Sequence, residues 1–269
     1  MIVQTAPEGE ARMVITMAEH TSLAGQFCAA FGNAEFEPAT PREEMLHIVS
    51  NHDAGWAGLD AEGRLDPKTG LPYNLVETPF ELIIRTSTAS PDFNARRSAF
   101  CGLLSSMHSW GLYNGRYGLS DTLVLDGIAG ENRQVADRIL GAEIARQETL
   151  KAIVASDAST APWVEEKRLF QNYKQLQFFD TLALYFNYRH EGARKPADFP
   201  HVAKNAGEDV TVTITPRGKG VYAMAPFPFA GDVLEASFTG RRMAPARGSE
   251  RVDLASLPPT RETIRIVRG

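Results

Sequence analysis

Cysteine is scarce in this chain, and its scarcity excludes a fold that is held together by disulfides. Cys28 and Cys101 are the two cysteines among 269 residues, and both lie in apolar segments with helical spacing. A chain of this length buries enough apolar surface to fold without covalent cross-links. We therefore predict two buried free thiols in a thiol-reducing compartment, and no catalytic cysteine.

The chain also lacks an excess of positive charge and long apolar runs. Its formal net charge is −5, so no overall basic field attracts nucleic acid or an anionic membrane. No apolar run reaches the roughly 18 to 20 residues of a membrane-spanning helix. Met1–Gln4 has neither the basic nor the apolar character with which a signal peptide begins. We expect a cytoplasmic protein that binds a small-molecule substrate and neither nucleic acid nor membrane. The oligomeric state stays open, a homo-oligomer included.

The sequence does contain a series of helical patterns followed by alternating strand patterns. Hydrophobic residues make up 43% and charged residues 23% of the chain, the profile of a globular protein. Helices are predicted over 20–31, from Thr40 to His52-Asp53, over 80–112, over 131–156 and over 162–186. Strands are predicted over 2–5, 11–17, 210–215, 221–225, 233–238 and 262–267, which together predict a small antiparallel sheet. The Gly- and Pro-rich stretch 57–79 is predicted to be a long ordered loop that forms a lid or a pocket wall.

The most informative stretch is the His52-Asp53 pair at the end of the second predicted helix. Adjacent side chains on a helix point about 100° apart, so both can reach one cation. Neutral imidazole and carboxylate suit Zn, Mn, Fe or Ni. The pair makes only half of a site, however, and a surface histidine beside a solvated aspartate is the commoner situation.

Asp180 is the second informative residue because it stands in the middle of the apolar run 176–184. An unpaired buried charge costs several kcal/mol. The carboxylate therefore needs a cation, a proton or several hydrogen-bond donors. An ion pair with an arginine, or a position at the polar edge of the helix, is the alternative explanation.

Five ligand-type residues stand in a recognisable order on separate predicted helices: His20, His52-Asp53, His108 and Asp180. This order resembles the HD superfamily of metal-dependent phosphohydrolases, in which a first-helix His, a His-Asp dyad and a distant Asp hold one metal. The segments 16–20, 52–56, 106–112 and 177–180 further resemble one branch of it, the DUF3891 family. The resemblance covers nearly the whole chain.

The resemblance implies a mainly α fold, an HD-like helical bundle to which the N- and C-terminal strands add the small sheet. The implied domains are N-terminal strands over 1–17, a metal-binding helical domain over 18–195 and a β-rich subdomain over 196–269. The implied ligands of a divalent cation (Zn, Mn, Fe, Ni or Mg) are His20, His52, Asp53 and Asp180. A second metal depends on His108, because His47, His190 and His201 lie outside the interval between the dyad and Asp180.

We expect from this a metal-dependent hydrolase, and specifically a phosphohydrolase acting on an anionic small molecule. Its catalytic residues are Asp53 and His108, the latter orienting substrate or transferring a proton. The substrate-binding candidates are Trp56, Tyr73, Tyr113, Arg116 and Lys174. Packing around a bend is the alternative role for the turn 113–118, and a solvated position is the alternative for Lys174.

Two other functions stay open at this point. One is an HD-type diiron oxygenase, in which Glu19 or Glu44 replaces the missing sixth ligand. The other is a non-catalytic metal or ligand sensor that passes binding on to the C-terminal strands. The dyad is followed by Ala54, Gly55 and Trp56 rather than by an acidic residue, which weakens the case for a conventional nucleotide hydrolase.

Overall fold

The computed structural model describes residues 1–246 and 248–269, and within them the chain forms seven α-helices and one seven-stranded sheet. The helices are α1 (Met17–Ala30), α2 (Arg42–Asn51), α3 (Ala57–Glu62), α4 (Phe80–Ala95), α5 (Ala99–Tyr113), α6 (Gly130–Ala155) and α7 (Glu166–Tyr188). The strands are β1 (Ile2–Val3), β2 (Arg12–Ile15), β3 (Ala197–Asn205), β4 (Glu208–Gly218), β5 (Val221–Ala225), β6 (Val233–Met243) and β7 (Pro259–Arg268).

The predicted fold class, a helical bundle with a small antiparallel sheet, is wrong. The strand order is β1-β2-β6-β7-β5-β4-β3, and the sheet curls into a half barrel. All neighbours pair antiparallel except β5 and β7, which run parallel with Val221 opposite Arg265. The parallel pair arises because the chain leaves β5, forms β6 and returns beside β5 as β7. The sheet is therefore a full layer of the fold and is mixed.

β3 was missed from the sequence because it does not have the composition of a central strand. It contains Pro200 and polar residues, and its alternation is interrupted where the register shifts between Phe199 and Val202. Proline removes a ladder donor and is tolerated in a sheet at edge strands and bulges. β3 is an edge strand of this sheet, so its sequence fits the position that it occupies.

The helix predictions hold in position but not in every boundary. The segment 80–112 is two helices, α4 and α5, and the predicted loop 57–79 contains α3. The predicted cap of α2 at Thr40 is wrong. Pro41 occupies the cap position, and the Thr40 hydroxyl donates to the carbonyl of Pro38 instead. No helix in the described part of the chain combines the length and the apolarity needed to cross a membrane.

One core lies between the sheet and the helices α1 and α7, and α5 is buried behind them. α5 contains no Asp, Glu, Lys or Arg and is buried around most of its circumference, as an apolar helix must be. α1 is fixed to β6 by side chains: Gln26 bonds both backbone groups of Ser237, and Glu19 accepts from the backbone N–H of Thr239. These bonds determine where the first turn of α1, with His20, lies.

The end of α2 is held against α4 and α5. The buried amide of Asn94 donates to the carbonyls of Asn51 and Ser90 at 2.9 and 3.0 Å and to the hydroxyl of Ser105 at 3.2 Å. The backbone N–H of Gly55 donates to the Ser90 hydroxyl at 3.0 Å. The short turn that follows the His52-Asp53 pair therefore rests directly on α4.

Gly55 provides a test of this close approach. A Cβ at Gly55 would lie 2.6 Å from the backbone N of Ser90 and 2.7 Å from the carbonyl O of Thr86. We expect Gly55→Ala to lower the free energy of unfolding by about 1 to 3 kcal/mol, because backbone atoms must move. The measurement is urea unfolding of the two proteins.

Gly58→Ala is the matched control for this substitution. A Cβ at Gly58 meets nothing within 4 Å, and alanine is the better helix former by roughly 0.5 to 1 kcal/mol. Gly58→Ala should therefore leave the stability unchanged or raise it slightly. Equal effects of the two substitutions would contradict the close packing of this turn on α4.

Candidate metal centre

Four helices bring the ligand-type residues of the sequence to one place. α1 contributes His20, the end of α2 contributes His52 and Asp53, α5 contributes His108 and α7 contributes Asp180. Two sets of three offer ligand atoms that all lie within 4.8 Å of one another: His20, His52 and Asp53, and His52, His108 and Asp180. The three histidines and Asp180 are buried.

We call His20, His52, Asp53, His108 and Asp180 the ligand group, and Asp180 is at its centre. Its Oδ1 lies 3.1 Å from Nε2 of His20 and 3.7 Å from Nε2 of His52, and Oδ2 of Asp53 lies 3.8 Å from the same His52 nitrogen. Nitrogen and oxygen ligands bound to one cation at about 2.0 to 2.2 Å are about 3 to 4 Å from one another. The three spacings, from His52 to both carboxylates and from His20 to Asp180, are therefore compatible with residues that share a cation.

His52 has a buried ring nitrogen that lacks a hydrogen-bond partner among the described residues. Its Nδ1 donates to the carbonyl of Val49 at 2.8 Å, which leaves Nε2 as the atom that faces the two carboxylates. Nε2 is buried and has no hydrogen-bond partner among the described residues. A metal-ligating histidine characteristically donates its other N–H to a carbonyl or carboxylate oxygen, and His52 has this arrangement.

His20 is oriented in the same way by a residue of α7. Its Nδ1 lies 2.9 Å from Oδ1 of Asn187, so the ring donates to this amide oxygen and directs Nε2 toward Asp180. Asn187 is fully buried, and its amide therefore fixes the ring and its tautomer. With Nδ1 of each ring engaged, both Nε2 atoms face Asp180, and each offers a lone pair when its ring is neutral.

His108 is held with the opposite polarity. The side-chain amide of Gln177 donates to Nδ1 of His108 at 2.9 Å, so the ring carries its proton on Nε2. That nitrogen lies 4.0 Å from Oδ1 of Asp53. His108 is therefore a hydrogen-bond donor at the edge of the ligand group, and this geometry does not favour the second metal that the sequence left open.

Burial is the largest influence on the pKa values of these side chains. The charges of their neighbours then shift the individual pKa values in different directions. Burial raises the pKa of Asp53. Burial also acts on Asp180, but the imidazoles of His20 and His52 hold its pKa well below the usual range. Burial opposes the charge on His52, yet the two carboxylates raise its pKa to about 9. Burial and the charge of His52 lower the pKa of His108 to about 3. In the cation-free protein the proton of His52 thus compensates the buried carboxylates.

A cavity of about 870 Å³ opens onto this group. Asp53, His108 and Asp180 line it, together with three of the predicted substrate-binding residues, Trp56, Tyr113 and Arg116. The predicted loop contributes Leu75 and Val76 to the wall, as expected of a pocket wall. The ligand group therefore lies where a small molecule can reach it.

Arg116 enters the cavity from a turn of unusual backbone conformation. Gly115, Arg116, Tyr117 and Gly118 all have positive φ, with values of 51° and 57° at the two non-glycine residues. Such residues cost about 1 to 3 kcal/mol each and cluster at functional sites. Nη2 of Arg116 lies 4.0 Å from Oδ2 of Asp180, so the guanidinium is the cation nearest to the ligand group on the cavity side.

The family model described as a protein of unknown function, DUF3891, matches residues 1–244. The chain belongs to the DUF3891 family. No curated protein and no solved structure matches it. The family description names no ligand and no reaction, so the chemistry of this DUF3891 protein must be inferred from the geometry above.

Several residues that the sequence suggested lie elsewhere in the DUF3891 chain. Tyr73 lines a separate small pocket near Met1, and Lys174 forms an ion pair with Asp209. Glu44 accepts from Ser98 and from the thiol of Cys101, and Glu19 is bound to β6 as described above. Neither glutamate belongs to the ligand group.

Two residues of the site were not found from the sequence, Gln177 and Asn187. Both project from α7 on the same face as Asp180, at spacings of three and seven residues. These spacings were a usable signal, because polar side chains that recur on one face of an apolar helix need partners. Without knowing that His20 and His108 face α7, however, nothing indicated which atoms these amides bond.

The pKa of His52 predicts how cation affinity depends on pH. A cation and a proton compete for Nε2 of His52, whose pKa is about 9 in the cation-free protein. We expect Mn²⁺ affinity to rise about tenfold per pH unit between pH 6 and 9, and binding at pH 7.5 to release about one proton. Calorimetric titration in buffers of different ionisation enthalpy measures both. Affinity that does not change with pH would contradict His52 as a ligand.

Proposed function

We propose that this protein is a metal-dependent hydrolase of phosphoesters with a single cation site. One observation carries the proposal: the buried Nε2 of His52 has no hydrogen-bond partner among the described residues and faces two carboxylates that line an accessible cavity. His20, His52, Asp53 and Asp180 would hold the cation. The order of these ligands along the chain also supports a relationship to the HD superfamily, which we propose on that ground alone.

A divalent cation at such a site supplies Lewis-acid chemistry, polarising a substrate oxygen and making water more acidic. The protein's own residues bind and orient the substrate. Arg116 neutralises an anionic group beside Asp180, and the apolar walls exclude bulk water from it. Hydrolysis joins a water oxygen to phosphorus, breaks the bond to the ester oxygen and gives one proton to the leaving alcohol.

His108 is the residue that we assign to the reacting group. Its Nδ1 is occupied by the amide of Gln177, so Nε2–H points toward the cavity side of Asp53. The low pKa keeps this ring neutral. A neutral imidazole in this tautomer stabilises negative charge that develops on a substrate oxygen by donating a hydrogen bond, rather than acting as a strong acid.

The same contacts make the rival functions weaker proposals. A diiron oxygenase needs further ligands, but Glu19 and Glu44 are bonded elsewhere and His108 presents a donor. A non-catalytic sensor has no specific contact in its favour. Turnover of any phosphoester by metal-loaded protein, with no iron requirement, separates hydrolase from both.

Four single variants separate cation binding from catalysis. His52→Ala and Asp180→Asn should lose bound metal while the helices stay folded, because each removes a ligand whose burial the cation compensates. His108→Gln should keep the metal and reduce kcat by roughly 10² or more, because it removes the donor to developing charge. His47→Gln is the matched control, since His47 stacks on Phe93 outside the site and should change neither property.

Metal content is measured by elemental analysis, folding by circular dichroism and activity by phosphate release from a library of phosphomonoesters. If Asp180→Asn keeps its metal and loses about 3 to 5 kcal/mol of stability, Asp180 is an ion-pair partner of Arg116 and the ligand assignment is wrong. Silence of the metal-loaded protein across the whole library would remove the hydrolase proposal.

A further inference from the structure

The cavity described above has its charges at one end. Among the described residues that line its 870 Å³, the charged side chains are Asp53, Arg116 and Asp180. Asp53 and Asp180 face the proposed cation, so Arg116 is the one cationic side chain that the described lining leaves for a ligand. A polyphosphate such as a nucleoside triphosphate spreads several charges over its length and requires several cationic side chains. The cavity matches a ligand with one anionic group.

The cavity is also lined by Ser109, Ser120, Thr122 and Tyr188, and away from its charged end by six aliphatic side chains from α4, α5, α7 and two short turns. These side chains are Leu75, Val76, Ile83, Leu112, Val124 and Leu184. The apolar surface continues to the opening, where Val76 is 74% and Val124 46% exposed, and the adjacent Leu123 is 50% exposed. Exposed aliphatic residues that are contiguous with a cavity mark a site for an apolar ligand.

The hydroxyl groups on the α4 wall do not require a polar ligand, because they already have partners. Thr86 and Ser87 donate to the carbonyl of Ile83, and Ser87 also bonds the hydroxyl of Tyr113 at 3.1 Å. The hydroxyl of Ser90 accepts from Gly55. An apolar ligand that covers these atoms leaves none of the three hydroxyls without a hydrogen bond.

We propose that the substrate is an anionic amphiphile: one phosphoryl head next to Arg116, and an aliphatic body that extends along the cavity toward Val76 and Val124. This inference rests on the proposed function for the position of the head, and goes beyond it in naming the body. It makes the aliphatic chain a determinant of affinity.

The experiment measures binding of alkyl phosphonates, which are not hydrolysed. Butyl, hexyl and octyl phosphonate are titrated calorimetrically into metal-loaded protein below their critical micelle concentrations. Each methylene removed from water tightens Kd by up to about fourfold, so octyl should bind at least about tenfold more tightly than butyl. Octanoate, which has a carboxylate head, is the comparison ligand, and octyl phosphonate should bind more strongly than octanoate.

Variants assign the two ends of the ligand. Val76→Asp should weaken octyl phosphonate several-fold and leave butyl phosphonate nearly unchanged, because only the longer chain reaches the opening. Val233→Asp is the matched control: Val233 is 40% exposed in β6 and does not line the cavity, so it should leave both affinities unchanged. Arg116→Gln should weaken both phosphonates by a similar factor.

Three results would overturn the proposal: equal affinity of butyl and octyl phosphonate, equal affinity of octyl phosphonate and the uncharged octyl glucoside, or equal effects of the two valine substitutions. The hydrolase proposal fails separately. Chain-length-dependent phosphonate binding without turnover of any phosphoester would support the amphiphile and remove the hydrolase. Turnover of short phosphoesters without chain-length dependence would do the reverse.

Discussion

The burial of one carboxylate is the constraint on which the centre of this molecule depends. Asp180 lies inside the helical layer, where an isolated charge would cost several kcal/mol, and α1, α2 and α5 each direct an imidazole toward it. These rings are in turn fixed by Asn187, the Val49 carbonyl and Gln177. Packing of the helices and compensation of the charge are therefore a single problem, solved by the same side chains.

The three histidines lie close together, and the orientation of each ring determines its chemical role. His20 and His52 each donate from Nδ1 to an oxygen, whereas His108 accepts at Nδ1 from an amide nitrogen. When neutral, His20 and His52 can thus each offer the Nε2 lone pair to a cation, whereas His108 offers an Nε2–H hydrogen-bond donor. Two neutral amides on α7 and one backbone carbonyl produce this distinction without adding any charge.

The sequence predicted which ligand-type residues come together better than it predicted the fold around them. His52-Asp53 and Asp180 were recognisable because burying charged or polar side chains in apolar helices costs free energy. The amino-acid sequence alone shows where such side chains stand among apolar ones. The parallel pairing of β5 with β7 and the edge strand β3 depend on which distant segments meet, and Pro200 masks β3 locally. Gln177 and Asn187 were missed for a related reason: their partners lie 69 and 167 residues away.

The turn that carries Arg116 couples the stability of this protein to the charge inside its cavity. The backbone of Arg116 and Tyr117 is in the left-handed region, and glycine or asparagine at either position would relieve the strain. Tyr117 is held in this conformation by contacts with Trp110, Tyr173 and Gln147. A substitution of Arg116 that relieves the backbone strain therefore also removes the guanidinium. The aromatic cluster behind the turn allows the arginine to persist, so residues that do not line the cavity determine whether a positive charge lines it.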